Sequence, residues 1–305
     1  MKSLRHILAA GLAAVLLAVP AAAQETFTYA YGDYTAALPA EPQRVFVMDS
    51  RTGLEFALLA GFPIVATDAD PNAPSHLDAL LGPEVVRLGG FRGQPSAETV
   101  LSHDPDLLVV GAGWWNYWTE HGEFPAGFPV PVLVVADGDA DTWRDTMTGQ
   151  LAAYGLAERA EAALVTYDAF VAEARPEIER ILAGRPIAIT DIWNGAFSLH
   201  VATFDNAIAR DLGIVTVSGD APTEYGYQAY SLEAIGPVVE SAALIMALDA
   251  ADPVTANPVW LRIPAVASGN VYRLDLANSW GFALNALDFG ADLLAAVRAL
   301  GGVAP

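Results

Sequence analysis

The chain has no cysteine. That excludes disulfide scaffolds, thiolate zinc sites, iron–sulfur clusters, cysteine nucleophiles and a lipid-modified N-terminal cysteine. Basic residues are scarce too: 15 Lys and Arg stand against 36 Asp and Glu, a formal charge of −21. Nucleic-acid grooves work by releasing counterions from phosphates onto clustered cations, so no nucleic-acid partner is expected. Catalytic signatures are missing. There is no G-x-S-x-G elbow, no G-x-x-x-x-G-K-[ST] loop and no H-E-x-x-H. Gly111-Ala112-Gly113 lacks the third glycine of a dinucleotide fingerprint, and Trp114 and Trp115 would block a pyrophosphate. His76, His103, His121 and His200 never fall at i, i+4, so solvated or hydrogen-bonded histidines are expected rather than a metal site. Asp49, Asp191 and Glu224 are the carboxylates an enzyme would have to use. No motif sets two of them together, so no enzyme and no cofactor are expected.

Beyond the N-terminal segment, no apolar run reaches the ~18 residues of a spanning helix. Residues 1–23 read as a secretory leader. Lys2 and Arg5 open it, Ile7–Val19 is an uncharged apolar stretch, and Ala21-Ala22-Ala23 offers the cleavage site. Its removal takes away two basic residues and no acids, leaving an acidic, exported, disulfide-free chain suited to a bacterial periplasm.

The rest carries ample apolar content, 53% of the whole chain, which excludes disorder. Phe27–Tyr34 alternates into Gly32-Asp33, a hairpin signal. Short apolar strands then alternate with helices: strands at 45–48, 64–66, 85–88, 107–110 and 132–135, helices at 53–60 and at 96–101 with Ser96 as N-cap. Residues 142–183 break the rhythm with helical spacing, and 157–183 forms one long helix containing Pro176. The alternation then returns, with strands at 187–190, 199–201, 214–217, 243–247 and 271–274, helices at 207–212 and from 231, and a closing helix at 282–300. Strand–helix alternation means mostly parallel sheets covered on both faces. The predicted plan is two doubly wound α/β lobes joined by one long helix. It comprises an N-terminal lobe at 24–155, a linking helix at 156–183 and a C-terminal lobe at 184–305, with a ligand cleft between the lobes. A short internal echo supports equivalent lobes: Ser96-Ala97-Glu98 and Ser231-Leu232-Glu233 each open a helix that precedes an apolar strand.

Candidate site residues are aromatic and sit in strand-to-helix connections, where open α/β sheets bind ligands. Trp114, Trp115, Tyr117 and Trp118 follow the strand 107–110 on a predicted loop, a flat apolar wall for a ligand or a loop packed on its own lobe. Trp193 follows the strand 187–190. Tyr225, Tyr227 and Tyr230 cluster before the helix at 231, and Trp280 precedes the last helix. Arg92, in the Gly-rich turn 89–95, could bind ligand oxygens with its fork. Arg51 follows the first strand beside Asp49, where an ion pair of Asp49 with Arg51 or Arg92 is the plainer reading.

Several motifs, in order, resemble the substrate-binding proteins of bacterial iron–siderophore and vitamin B12 ABC importers. They are Pro42-Gln43-Arg44 leading to Asp49, Gly89 through Pro95-Ser96-Ala97-Glu98, Asp104-Pro105-Asp106, Ser231-Leu232-Glu233, Asn257-Pro258, Ile263-Pro264, Gly269-Asn270-Val271 and Trp280. The resemblance implies two lobes held rigidly by the long helix, small lobe motions, a monomer, and delivery of the ligand to an inner-membrane ABC permease. The ferric hydroxamate-binding branch is most similar. In that branch an arginine matching Arg92 contacts the chelate, and aromatics matching Trp114 or Trp115, Tyr225 and Trp280 line the pocket. Glu98 and Glu233 match the glutamates that dock on the permease; helix-dipole stabilisation is the alternative role. Corrinoid, haem or metal-ion binding on the same scaffold are the alternatives for the ligand.

Overall fold

The computed structural model describes residues 25–72, 75–89, 95–121, 129–219, 226–248, 253–274 and 280–302. The sequence opens with a hairpin of β1 (Thr26–Tyr31) and β2 (Tyr34–Pro39), in antiparallel register from Thr26–Pro39 to Tyr31–Tyr34. Gly32 takes the left-handed conformation the turn requires, with φ 55°. The hairpin is fastened to the first sheet by two tyrosines. The Tyr29 hydroxyl donates to the Val134 carbonyl, and the Tyr34 hydroxyl accepts from the Val132 N–H at 2.9 Å.

The first sheet is wholly parallel. It uses β3 (Val45–Val47), β4 (Ile64–Thr67), β5 (Val86–Arg87), β6 (Leu107–Gly111) and β7 (Val132–Val135), in the order β5-β4-β3-β6-β7. Strands β3, β6 and β7 are buried apolar runs because helices cover both faces. These are α1 (Thr52–Ala60), α2 (Ala97–Ser102), α3 (Ala112–Glu120) and α4 (Trp143–Ala153). Gly61 ends α1 in the left-handed conformation, its N–H and that of Phe62 returning to the last turn. Ser96 caps α2 by accepting the Thr99 N–H at 3.1 Å.

The long helix α5 runs Ala157–Leu182, 26 residues, with Pro176 inside it. At 1.5 Å per residue it is about 39 Å long. The second sheet follows: β8 (Ile187–Trp193), β9 (Ala196–His200), β10 (Tyr227–Tyr230), β11 (Leu244–Leu248) and β12 (Val271–Leu274), in the order β10-β9-β8-β11-β12. The β8–β11–β12 side is parallel, whereas β9 and β10 run antiparallel, so this sheet is mixed. Its helices include α6 (Phe204–Asp211), α7 (Leu232–Val239), α8 (Pro264–Ala267) and α9 (Ala283–Leu300).

Two segments differ from the sequence expectation in their secondary structure, besides the antiparallel β9 and β10. Residues 214–217 form no strand. They make a single bridge, Ile187–Thr216, beside the start of β8, where β9 has not yet begun to pair; Val215 is left exposed. Residues 112–118 are helical rather than a loop. Tryptophan, asparagine and tyrosine are middling helix formers, but burial of Trp118 against Val110 and its neighbours fixes the turn. No helix among the described residues is long and apolar enough to cross a membrane.

One core runs from the first sheet through α5 to the second, including Val47, Leu107, Tyr167, Ile178, Ile189, Met246 and Phe289. Beneath the gap between the sheets, the Trp143 ring meets Tyr167 at 5.4 Å and Phe204 at 5.6 Å, both edge-to-face. Arg144 covers Trp143 and Tyr167 and bonds Asp168 at 2.9 Å and Asp211 at 3.0 Å. The floor between the lobes is therefore packed, which fixes where the cleft above it can open.

Candidate ligand-binding cleft

A cleft of about 740 Å³ lies between the two sheets. The first lobe supplies three strand-to-helix connections: Asp49, Arg51 and Thr52 after β3, Gly111, Gly113, Trp114 and Tyr117 after β6, and residues 137–141 after β7. The second lobe supplies Ala202, Thr203 and Phe204 after β9, Gly226 and Tyr227 at the start of β10, and Trp280 ahead of α9.

The connections are tied by carboxylates. Asp49 is buried and accepts three backbone N–H groups, from Gly111 at 2.7 Å, Arg51 at 3.0 Å and Gly53 at 3.1 Å. Burial pushes its carboxyl above the ordinary range, and those donors pull it back. Gly53 has to be glycine, since a Cβ there would overlap the Asp49 carboxylate. Asp137 accepts the Gly113 N–H at 2.9 Å and a bond from Thr52; burial raises its pKa, while Arg51 nearby opposes the rise. Just ahead of α4, Asp139 accepts the Thr142 N–H at 2.8 Å and the Thr142 hydroxyl at 2.7 Å, and that hydroxyl bond holds its pKa down. The expected Asp49–Arg51 ion pair is thus, in the structure, a carboxylate held by backbone donors.

The walls are aromatic. The Arg51 guanidinium lies over the Trp280 ring at 4.9 Å, a cation–π contact across the gap between lobes. Tyr227 stands 6.5 Å from Trp280 and edge-on to His200 at 4.7 Å. His200 is buried, with Asp205 at 2.6 Å on Nδ1 and Asp191 at 3.3 Å on Nε2. Burial alone would lower its pKa. The two carboxylates overcome this and lift it to about 10, keeping an imidazolium behind the Tyr227 wall. Burial, with those same aspartates, pushes the Tyr227 hydroxyl up, so it stays protonated as a donor.

Of the residues singled out in the sequence, Arg51, Trp114, Tyr117, Tyr227 and Trp280 come together on the cleft. Trp118 does not: it is 2% exposed, stacked on Trp114 at 5.5 Å, and part of the first lobe's core. Trp115 turns to the hairpin, its ring 4.8 Å from Tyr34. One helix carries all four aromatics, so its 100° steps send neighbours to different faces. Trp193 is exposed at the β8–β9 turn, away from the cleft. Arg92 and Tyr225 lie outside the described residues. Glu98 and Glu233 are exposed in the first turns of α2 and α7. Sequence reading passed over Asp137, Asp139 and Asp141, although an acidic Asp-Gly-Asp-Ala-Asp run directly after an apolar strand was the signal. It also passed over Thr203 and Phe204.

Two α/β lobes on a long connecting helix, with an aromatic cleft between them, are the architecture of a two-lobed α/β fold. The chain belongs to the periplasmic binding protein family, which it matches over residues 47–277; this is a family of binding proteins, not enzymes. A curated relative is the Fe(3+)-citrate-binding protein YfmC of Bacillus subtilis, 23% identical over 212 residues. That match covers 68% of this chain and spans 65% of the relative's length. Among solved structures, the triscatecholate siderophore-binding protein FeuA of Bacillus subtilis, with ferri-bacillibactin, matches with a TM-score of 0.70. It is 16% identical, over 90% of this chain and 98% of that one. The siderophore-binding protein FhuD of Vibrio cholerae, bound to Fe3+-Desferal, has a TM-score of 0.66 and 16% identity, over 85% and 98% of the two chains. These likenesses carry the fold.

Proposed function

We propose that the protein is exported to the periplasm, captures a ferric siderophore of the hydroxamate type in the cleft and delivers it to an inner-membrane ABC permease. The observation that carries this reading is the make-up of the cleft wall. Trp114, Tyr117, Tyr227 and Trp280 supply ring surface, and Arg51 brings a cation. Rings desolvate the organic shell of a chelate, and a guanidinium orients its oxygens. The siderophore already fills the coordination sphere of iron, so the protein binds the ligand and does no chemistry on the metal. The relatives named above, which bind ferric citrate and siderophores, support the iron-chelate class.

The charge of the wall supports a hydroxamate over the alternatives. Asp49, Asp137, Asp139 and Asp141 face the cleft beside Arg51. A tris-catecholate or citrate chelate brings several negative charges into that field, whereas a ferric trihydroxamate is close to neutral. Quenching of tryptophan emission should be titrated with ferrichrome, ferrioxamine B, a ferric tris-catecholate, ferric citrate, cobalamin and haem. The hydroxamates should bind at least tenfold more tightly than the others. Tighter binding of cobalamin, haem or the catecholate would overturn the assignment.

A further inference from the structure

The N-terminus of α9 is gripped by the opposite lobe. Glu55, in the first turn of α1, is fully buried and lies outside the cleft. Its Oε2 accepts the Phe282 N–H at 2.6 Å, and its Oε1 accepts those of Leu284 at 2.7 Å and Asn285 at 3.0 Å. A helix leaves its first N–H groups without partners, and a neighbouring side chain normally caps them. Here the cap comes from a helix more than 220 positions away in sequence. The Asn285 side chain donates back to the Trp280 carbonyl, closing residues 280–285 into one rigid turn. Gly281 in that turn has φ 131°, and a Cβ on it would overlap both the Glu55 carboxylate and Asn285. One helical turn before Glu55, Arg51 covers the Trp280 ring at 4.9 Å. Helix α1 therefore holds the segment at two points, by its backbone and by its indole. A third contact, His76 to Asp288 at 3.3 Å, joins the lobes one turn further along α9.

We propose that Glu55 is a positioning residue: by capping α9 across the lobes it sets Trp280 in the cleft wall, and so governs cargo affinity without touching the cargo. The cargo itself rests on the reading above; the placement of Trp280 does not. Alternatives for Glu55 fail on geometry. Among the described residues it pairs with no cation, and its three acceptor bonds run to a single turn.

The test is a double-mutant cycle on the full chain with ferrioxamine B as probe. Glu55→Gln leaves an amide facing the Phe282 N–H and should weaken binding at least tenfold. Trp280→Phe should weaken it similarly. If Glu55 works through Trp280, the combined variant binds no worse than Trp280→Phe alone. Losses that multiply, or a Glu55→Gln variant within twofold of the parent, would overturn the proposal. Gly281→Ala, which crowds the same carboxylate without deleting it, should reproduce the loss, so the case does not hang on one variant folding. Acrylamide quenching without ligand is the independent arm. Glu55→Gln should raise the accessibility of one tryptophan, and the rise should vanish when Trp280→Phe is added. If the parent binds no ferric chelate, the proposed function falls while this arm still judges the placement. An unchanged quenching constant there would sink it.

Discussion

A carboxylate with no water around it has to be held by donors or take up a proton, and Glu55 shows both tendencies. Burial pushes its pKa from 4.5 to about 7, against the pull of the Asn285, Phe282 and Leu284 N–H groups. The folded protein therefore holds this proton more tightly than the unfolded chain does. Between pH 4.5 and about 7 the unfolded chain has already released it, so the group's contribution to stability is full below pH 4.5 and is lost as pH rises to about 7. The loss is about 3 kcal/mol if the whole shift is expressed. Urea unfolding of the parent and of Glu55→Gln at pH 4.5, 6 and 7.5 isolates this one group. The parent's stability relative to the variant should fall across the series and level off above pH 7. Parallel curves would mean that Glu55 does not titrate in that window. His200 acts in a separate range: its raised pKa stabilises below pH 6.5 and is lost toward pH 10, and it cancels in the comparison.

Elements show what periodicity can and cannot reveal. The α1 boundary at Gly61, the Ser96 cap, the apolar strands β6, β7 and β11 and the closing helix α9 were all legible, because local chemistry and final structure agree at those places. The antiparallel turn of β8 into β9 was not, since Trp193-Asn194-Gly195 reads as a strand-to-helix connection until the pairing of Trp193 with Ala196 is known. Helix α3 is the sharpest case. Its sequence is rich in rings that suit a loop or a cleft, and only the tertiary fold assigns each ring its side. That assignment separates two neighbours experimentally. Trp118→Ala removes a buried indole and should cost about 3–5 kcal/mol of stability. Trp114→Ala trims a half-buried ring on the cleft, costing about 1 kcal/mol or less, while weakening chelate binding. Thermal unfolding and chelate titration of the pair check this; equal stability losses would contradict the orientation of the helix. The interlobe grip of Glu55 on α9 left no mark in the sequence, because contacts between residues so distant depend on the docking of two lobes rather than on any local pattern.

At the scale of the whole molecule, the cleft and the proposed docking face are separate places on one continuous core. The core is continuous from the first sheet through α5 to the second, and α9 is tied to α1, so the lobes carry their outer faces at a fixed spacing. Glu98 and Glu233 sit exposed on corresponding helices of the two lobes, in first turns that follow Ser96 and Ser231. On the proposed function, two acids at fixed separation on a chain of charge −21 would serve as a register mark for a basic permease mouth, since rim charges act chiefly on the rate and register of association. Reversing both, Glu98→Lys with Glu233→Lys, should cut permease-dependent uptake of iron from ferrioxamine B by tenfold or more. Affinity of the purified protein for the same chelate should stay within twofold, because neither residue lines the cleft. Each single reversal should fall between, and added salt should narrow the gap between parent and variants by screening the charges that remain. Uptake that survives both reversals would leave the two glutamates as helix-dipole partners and nothing more. Loss of chelate affinity alongside uptake would instead mean that the outer face and the cleft are not independent, and the rigid coupling inferred from α5 and α9 would then have to be rebuilt around a movable hinge.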